Sequence, residues 1–355
     1  MFGKRRMLLP LIALMIVVIA AGCSNGKAPK EAVQSALENS VDMKSYTFSA
    51  DMQLTELELP PSAMGGGDQQ AAAMIDTFKN AKLSMTGVYE ADPMRMEMVM
   101  NIEVPGDMAF SLNVPFIMTE EKMYVKIPQT PMLPLGELAG KFVEVDLQEL
   151  AAEAGTEMPT LNMDTQRQMS QDILNIFVKH FDEETYFTEL KEGDVTLPEG
   201  VDPDQIVKFS VTQDNFDQMV MTLVQNVAPE VIDLFRDNAE YREALALQES
   251  DLEEAQAELN SLEEGELQTE LDKMKESVTI NELSMIGAIA DDYMVYQQVN
   301  ANLDVTQEGE TAKIGLTING QYDNINEDVE FTQDIPTDAI PFDELGMGTG
   351  MMAPM

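Results

Sequence analysis

Cys23 is the one cysteine in a chain of 355 residues, and the residues before it direct its thiol towards lipidation. Lys4, Arg5 and Arg6 make a positive start, Met7 to Ala20 an apolar core too short to span a bilayer comfortably, and Ala20-Ala21-Gly22 the small residues before a cut. This order predicts a lipoprotein signal peptide over residues 1–22, after whose removal Cys23 becomes the first residue and carries lipid on its sulfur. Two or three acyl chains, palmitate among them, hold a protein to a membrane where a single chain releases it. The expected location is therefore the cell membrane, lipid-anchored on the extracytoplasmic face. A plain secretory signal with an incidental cysteine is the alternative, since Ala20 stands where the usual lipobox has Leu.

With Cys23 lipidated no thiol remains, and His180 is the only imidazole. Thiol catalysis and zinc sites of the Cys and His type are thereby excluded. The residues around His180, VKHFDEE, offer no nucleophile elbow for a Ser-His-Asp triad, and Ile173, Phe177 and His180 fit the edge of an amphipathic helix. Paired carboxylates of the glycosidase type stay open by count, although a chain with no Trp and 8 Tyr has few rings to stack on sugars. Gly65-Gly66-Gly67 sits in a polar stretch with no strand and no Lys-Ser after it, which rules out a phosphate loop. Neither an enzymatic activity nor a cofactor is expected.

Sulfur chemistry of another kind is abundant, because the chain holds 28 Met. Met94, Met96, Met98 and Met100 alternate with Arg95, Glu97, Val99 and Asn101, which puts four thioethers on one face of a strand. Met85, Met108, Met118 and Met123 fall in neighbouring strands. Thioether side chains are flexible and polarizable, as surfaces that accept ligands of varying shape require. These eight methionines are the candidate ligand-binding residues, lining an apolar cavity. Two other readings stay open: an ordinary core that favours Met, and Cu(I) ligation by clustered thioethers, here without His or free Cys to assist.

Charge restricts the partners. The formal net charge is −43, and the predicted signal removes three basic residues and no acidic ones. Nucleic acid needs clustered Lys and Arg, so it is excluded as a partner. An anionic membrane face repels such a body, which favours solubility at a distance from the surface that the lipid ties it to.

The elements that carry these residues follow from periodicity. Residues 23–29 make a short lipidated tether, and Lys30 to Met43 has helical spacing through Val33, Leu37 and Val41. Tyr46, Phe48, Ala50, Met52 and Leu54 mark one face of a strand that opens a β-meander over 44–147, punctuated by Asp92-Pro93, Pro105-Gly106 and Glu120-Glu121. A helical insertion is expected over 148–276, with apolar positions at Met169, Ile173, Ile176 and Phe177 and a short strand at Ile206 to Val211. Its end, Asn238 to Glu276, is densely acidic, with Leu245, Leu252 and Leu259 at heptad spacing and Gly265 as a break. That reads as a helical hairpin packed on its own domain, or as an oligomerisation helix. Strands return over 277–336, and 341–355 has the composition of a disordered tail. Leu83-Ser84-Met85, Gly87, Asp92 and Met94 recur two hundred residues on as Leu283-Ser284-Met285, Gly287, Asp292 and Met294. Asn101 to Val104 then matches Asn302 to Val305 after a one-residue slip, the pattern of a duplicated meander.

The succession of KEAVQSALENSVDMKSYTFSADMQL after the anchor, a long meander, inserted helices and strands ending in QYDNINEDVEFTQDIP resembles the bacterial lipoprotein carriers and lipid-transfer lipoproteins of the LolA, LolB and LppX types. Among them it is nearest to Gram-positive lipoproteins. The opening KSYTFS and the stretch from Tyr322-Asp323-Asn324 to Pro336 carry the likeness, which has no diagnostic polar motif. It implies an α+β fold: a curved antiparallel sheet, or half-open β-barrel, covered by helices over residues 30–340, with the acidic helical hairpin as an insertion longer than such folds need. It also implies an apolar cavity for acyl chains. The expected function is non-catalytic binding of a lipid or lipid-linked molecule. The alternative is a structural lipoprotein whose acidic hairpin docks a protein partner in the cell envelope.

Overall fold

The computed structural model describes residues 26–60, 62, 77, 79–106, 109–130, 136–147, 149, 163–261 and 264–345. The chain folds as mixed α+β around one large open antiparallel sheet of twelve strands. Helix α1 (Pro29–Ser40) leads into a first meander of β1 (Ser45–Glu58), β2 (Lys82–Ala91), β3 (Met94–Val104), β4 (Phe110–Thr119), β5 (Lys122–Lys126) and β6 (Phe142–Asp146). Helices α2 (Met163–His180) and α3 (Glu183–Tyr186) come next, then β7 (Phe187–Leu190) and β8 (Gln205–Val211). A run of helices follows: α4 (Phe216–Thr222), extended by a π turn over Leu223–Val227, α5 (Ala228–Asp237), α6 (Ala239–Ala244), α7 (Glu249–Ser261) and α8 (Glu264–Ser277). The second meander closes with β9 (Val278–Ala290), β10 (Tyr293–Gln307) and β11 (Glu310–Asp323), and β12 (Ile340–Pro341) pairs in parallel with β6.

Across the sheet the order is β12-β6-β5-β4-β3-β2-β1-β11-β10-β9-β8-β7. The two meanders therefore lie side by side, joined where β1 pairs with β11. Moving four strands along the sheet carries β8-β9-β10-β11 onto β1-β2-β3-β4, the tandem placement that a duplication produces. The one-residue slip in the repeat has a structural counterpart in a register shift between Met294 and Tyr296 of β10, where β3 pairs without interruption.

Period-two alternation and this register put one apolar face across both meanders. Phe187, Phe209, Met285, Val299, Ile318, Met52, Leu83, Ile102 and Leu112 stand opposite one another in succession from β7 to β4. The other face carries a polar network across β1, β11 and β10: Asn319 accepts from Gln298 and Tyr296 and donates to Asp51, and Thr317 donates to Asn300.

Helices cover the apolar face at the second meander. α1 approaches β10 closely because its buried residues are the small Ala32 and Ala36. α2 is held by rings: Phe177 and Phe181 meet Phe209, which also stacks on Tyr186 and meets Phe187 edge-on. A second cluster joins Met169 of α2 to Ile232, Phe235, Tyr241 and Leu252, so α7 packs on its own chain. Of the heptad leucines Leu252 is buried, Leu259 lies partly buried at this cluster and Leu245 is exposed. Gly265 lies inside α8, one residue past its start, so the change of helix precedes it.

The stretch VEFTQDIP forms no strand. β11 already has β10 on one side and β1 on the other, which leaves it no free edge for a further partner. The chain instead turns at Asn324 and Asn326, both at positive φ, and crosses the Glu97-bearing face of the first meander. There the buried Glu97 carboxylate accepts from the Thr332 and Gln333 backbone N–H groups, and Arg95 lies over the Phe331 ring. A 3-10 turn follows over Phe342–Leu345, and the rest of the expected tail, 346–355, lies outside the described residues.

Candidate functional site

Helices α1 and α2 run antiparallel above β7–β10 and are tied along their length. Lys30 Nζ donates to the Lys179 and Phe181 carbonyls at 2.9 and 2.8 Å, satisfying acceptors that the end of α2 leaves open. Gln171 Nε2 donates to the Leu37 carbonyl at 3.2 Å, and Arg167 Nη1 to the Met43 carbonyl at 3.0 Å.

Between these helices and the sheet lies a cavity of about 590 Å³, within the range that small-molecule sites span. Val33 and Leu37 of α1, Leu174, Phe177 and Val178 of α2 and Met219 of α4 form its roof. Its floor is Val207, Phe209 and Val211 of β8, Leu283, Met285 and Gly287 of β9, Met294, Gln297 and Val299 of β10, and Tyr322 of β11. Gly287 makes room for the Met294 side chain on this floor: a Cβ there would meet Met294 Sδ at 2.6 Å and Cε at 3.0 Å, and no other residue lies within contact distance. Met43, just before β1, and Tyr46, near its start, close the side towards the first meander.

Tyr46 marks the seam between the two meanders. Its ring lies 5.0 Å from Tyr89 of β2 and 5.4 Å from Tyr322. Burial above all, with Tyr322 and Tyr89 next, pushes the Tyr46 phenol up to about 12, while the Arg167 cation acts in the opposite sense. Burial raises Tyr322 as well. Both are neutral hydroxyls at ordinary pH, able to donate a hydrogen bond. Arg167 is the one ionised side chain of the lining, in a chain with 64 acidic residues. The arrangement suits an apolar body with a small polar end.

The methionines singled out by spacing lie on this same face. Met96 opposes Met118, which opposes Met123; Met85 opposes Met100, Met98 opposes Gly87, and Met94 opposes Ala91. Met94 is buried and Met85, Met96, Met98, Met100, Met118 and Met123 are half-buried. None of these seven lines the cavity, which lies under the other meander; Met108 falls outside the described residues. The thioethers that do line it are Met43, Met219, Met285 and Met294. Met285 and Met294 are the repeat counterparts of Met85 and Met94, so the signal that finds them was the two-hundred-residue offset and not the density of Met.

Elsewhere, His180 Nε2 lies 2.5 Å from Glu230 Oε2, and Lys179 bonds the other oxygen at 2.7 Å. These two bonds, that from Lys179 first, hold the Glu230 carboxyl below its ordinary range. Glu38, Asp172, Glu230, Asp233 and Asp237 line an open cleft between α1, α2 and α5. Among the described residues no three His, Cys, Asp or Glu side chains converge as a metal site, and no helix is long and apolar enough to cross a membrane. No known protein family matches the chain, and no curated protein matches it either.

Proposed function

We propose that this protein is a lipid-anchored, extracytoplasmic envelope lipoprotein that holds a hydrophobic ligand, a lipid or lipid-linked molecule, without converting it chemically. The observation that carries this reading is the apolar cavity of about 590 Å³ under α1, α2 and α4. Burial of an acyl chain yields about 0.8 kcal/mol per methylene, so ten carbons supply about 8 kcal/mol before ordering costs, and no catalytic group is needed. In this reading the sheet acts as a half-open barrel of the kind the LolA, LolB and LppX likeness implies. Helices α1 and α2 are its cover, and Cys23 is the membrane tether.

The test is chemical. Purified protein extracted with organic solvent and analysed by mass spectrometry is expected to release lipid in near-stoichiometric amount. Solvent extracts free of lipid, with no uptake of added fatty acid, would refute the proposal. A second reading, in which the acidic helices dock an envelope partner, is favoured by the cleft of Glu38, Asp172, Glu230, Asp233 and Asp237. It predicts a dry cavity and a salt-sensitive complex with a basic protein.

A further inference from the structure

The cavity reading leaves the polar end of the ligand unspecified. Resting on that reading, we propose that the occupant is an uncharged ester lipid of the acylglycerol kind: its chains fill the cavity, and its ester group is held by the Gln297 amide and the Tyr322 hydroxyl. Gln297 stands on the apolar face of β10, two residues from Val299, and lines the cavity with it. The residues directly across from it are Gly287 of β9 and Gly320 of β11, so no side chain flanks it on either neighbouring strand. A Cβ at Gly320 would have nothing within contact distance, which leaves open space beside the amide. Gly87, the repeat counterpart of Gly287, faces a thioether instead, since it opposes Met98. An amide thus takes the place of an apolar group in the meander that carries the cavity.

Hydrogen-bonding capacity identifies the polar end. Among the described residues neither the Gln297 amide nor the Tyr322 hydroxyl has a hydrogen-bond partner within the chain. The adjacent Gln298, on the opposite face, is engaged at both ends: it donates to Asn319 and accepts from Asn300. Tyr322 lies two residues past Gly320 on β11, a diagonal separation that long and aromatic side chains span. Burial keeps its phenol protonated, and the amide adds two N–H donors and one carbonyl acceptor. An ester carbonyl accepts from both residues, and the free hydroxyl of a partial acylglycerol donates to Gln297 Oε1. An anionic head would be buried beside neutral dipoles in a chain whose net charge is −43, and Arg167, the ionised residue of the lining, is already bonded to the Met43 carbonyl. Burying an unpaired charge costs far more than burying an ester, so the site selects the uncharged lipid.

The experiment is displacement of a fluorescent apolar dye from the purified chain by dioctanoylglycerol, by dioctylglycerol, the ether with the same chain length and hydroxyl, and by dioctanoyl phosphatidic acid. The ester is expected to bind about tenfold more tightly than the ether, the effect of two hydrogen bonds that the ether leaves unmade, and more tightly than the acid. In Gln297→Leu and in Tyr322→Phe the ester-to-ether ratio falls to about threefold, and in the double variant to near one. Gln297→Glu keeps the shape and the acceptor but loses both donors, so it should lower the ratio as Gln297→Leu does; it serves where the leucine variant does not fold. Equal affinity of ester and ether for the parent, or a ratio unchanged in variants with unaltered melting curves, overturns the assignment to Gln297 and Tyr322 and leaves the cavity reading standing. Tighter binding of phosphatidic acid than of the ester overturns the uncharged head. Failure of all three lipids to displace the dye overturns the cavity reading itself.

Discussion

Two hairpins four strands apart carry the same residues and do different things. β2 presents Leu83, Met85 and Gly87 to the apolar face, and β9 presents Leu283, Met285 and Gly287 to it. Beside Gly87 stands Phe48 of β1, whose ring occupies the space that a Cβ at Gly87 would enter. Beside Gly287 stands Val207 of β8, at the place in the tandem order that β1 fills in the first meander. The Phe48 ring closes one glycine notch; at the other the neighbouring strand supplies only the smaller Val207, and the flexible Met294 thioether lies against the glycine. The shared motif determines which face is apolar; the residue on the neighbouring strand determines whether that face encloses volume.

Exchanging these two residues tests the comparison most severely. Val207→Phe is expected to lay a ring over Gly287 and to exclude about four methylenes of ligand, lowering affinity roughly a hundredfold in a lipid-displacement titration. A folded Val207→Phe variant with undiminished uptake would place the ligand outside this cavity. The reverse change, Phe48→Val, is expected to open a void at Gly87 and cost about 2 kcal/mol in denaturant unfolding. Ligand affinity should hold there, because the first meander keeps its Met surface apart from the cavity. Next in size is Met96→Asp with Met98→Asp. These residues are absent from the lining, so affinity should change by less than about threefold while stability falls. Loss of uptake in a variant with a native melting curve would extend the binding surface onto the first meander.

Much of this frame was legible in the residues. The helical spacing of Val33 and Leu37 in α1, the alternation of Tyr46 to Leu54 and the turn at Asp92-Pro93 marked local elements that local chemistry sets. The offset between Met85 and Met285 marked strands four apart in the sheet, and period-two spacing put the methionines on one face. The cavity's position was not legible, because it depends on pairings distant in sequence. Phe48 meets Gly87 across 39 positions and Val207 meets Gly287 across 80, and periodicity within either strand says nothing about its partner. The helical cover was readable as helices, but its placement over β7–β10 rests on Phe177 and Phe181, at the end of α2, converging with Phe209 of β8. The strand expected at VEFTQDIP failed for the same reason: its propensity is adequate, but both edges of β11 were already taken.

The finest test is at the seam. Tyr46 contacts Tyr89 of one meander and Tyr322 of the other, and its phenol titrates at about 12 in place of 10. For an acid whose folded value lies above its unfolded one, the unfolded chain loses its proton first as pH rises. Stability from this group is therefore complete below pH 10 and falls between pH 10 and 12, by at most about 1.4 kcal/mol per pH unit. Tyr46→Phe removes the ionisation but keeps the ring, so its loss of stability over that window should be shallower than the parent's. Tyr241, raised to about 12 as well, sits in the helical cluster far from the seam and leaves part of the alkaline loss in place. Tyr46 and Tyr322 also line the cavity, so the same substitution should spare chain binding, since only the hydroxyl is gone. A coincident pair of alkaline unfolding curves would mean that Tyr46 is as hydrated as a free phenol, and that the boundary between the two meanders is wet.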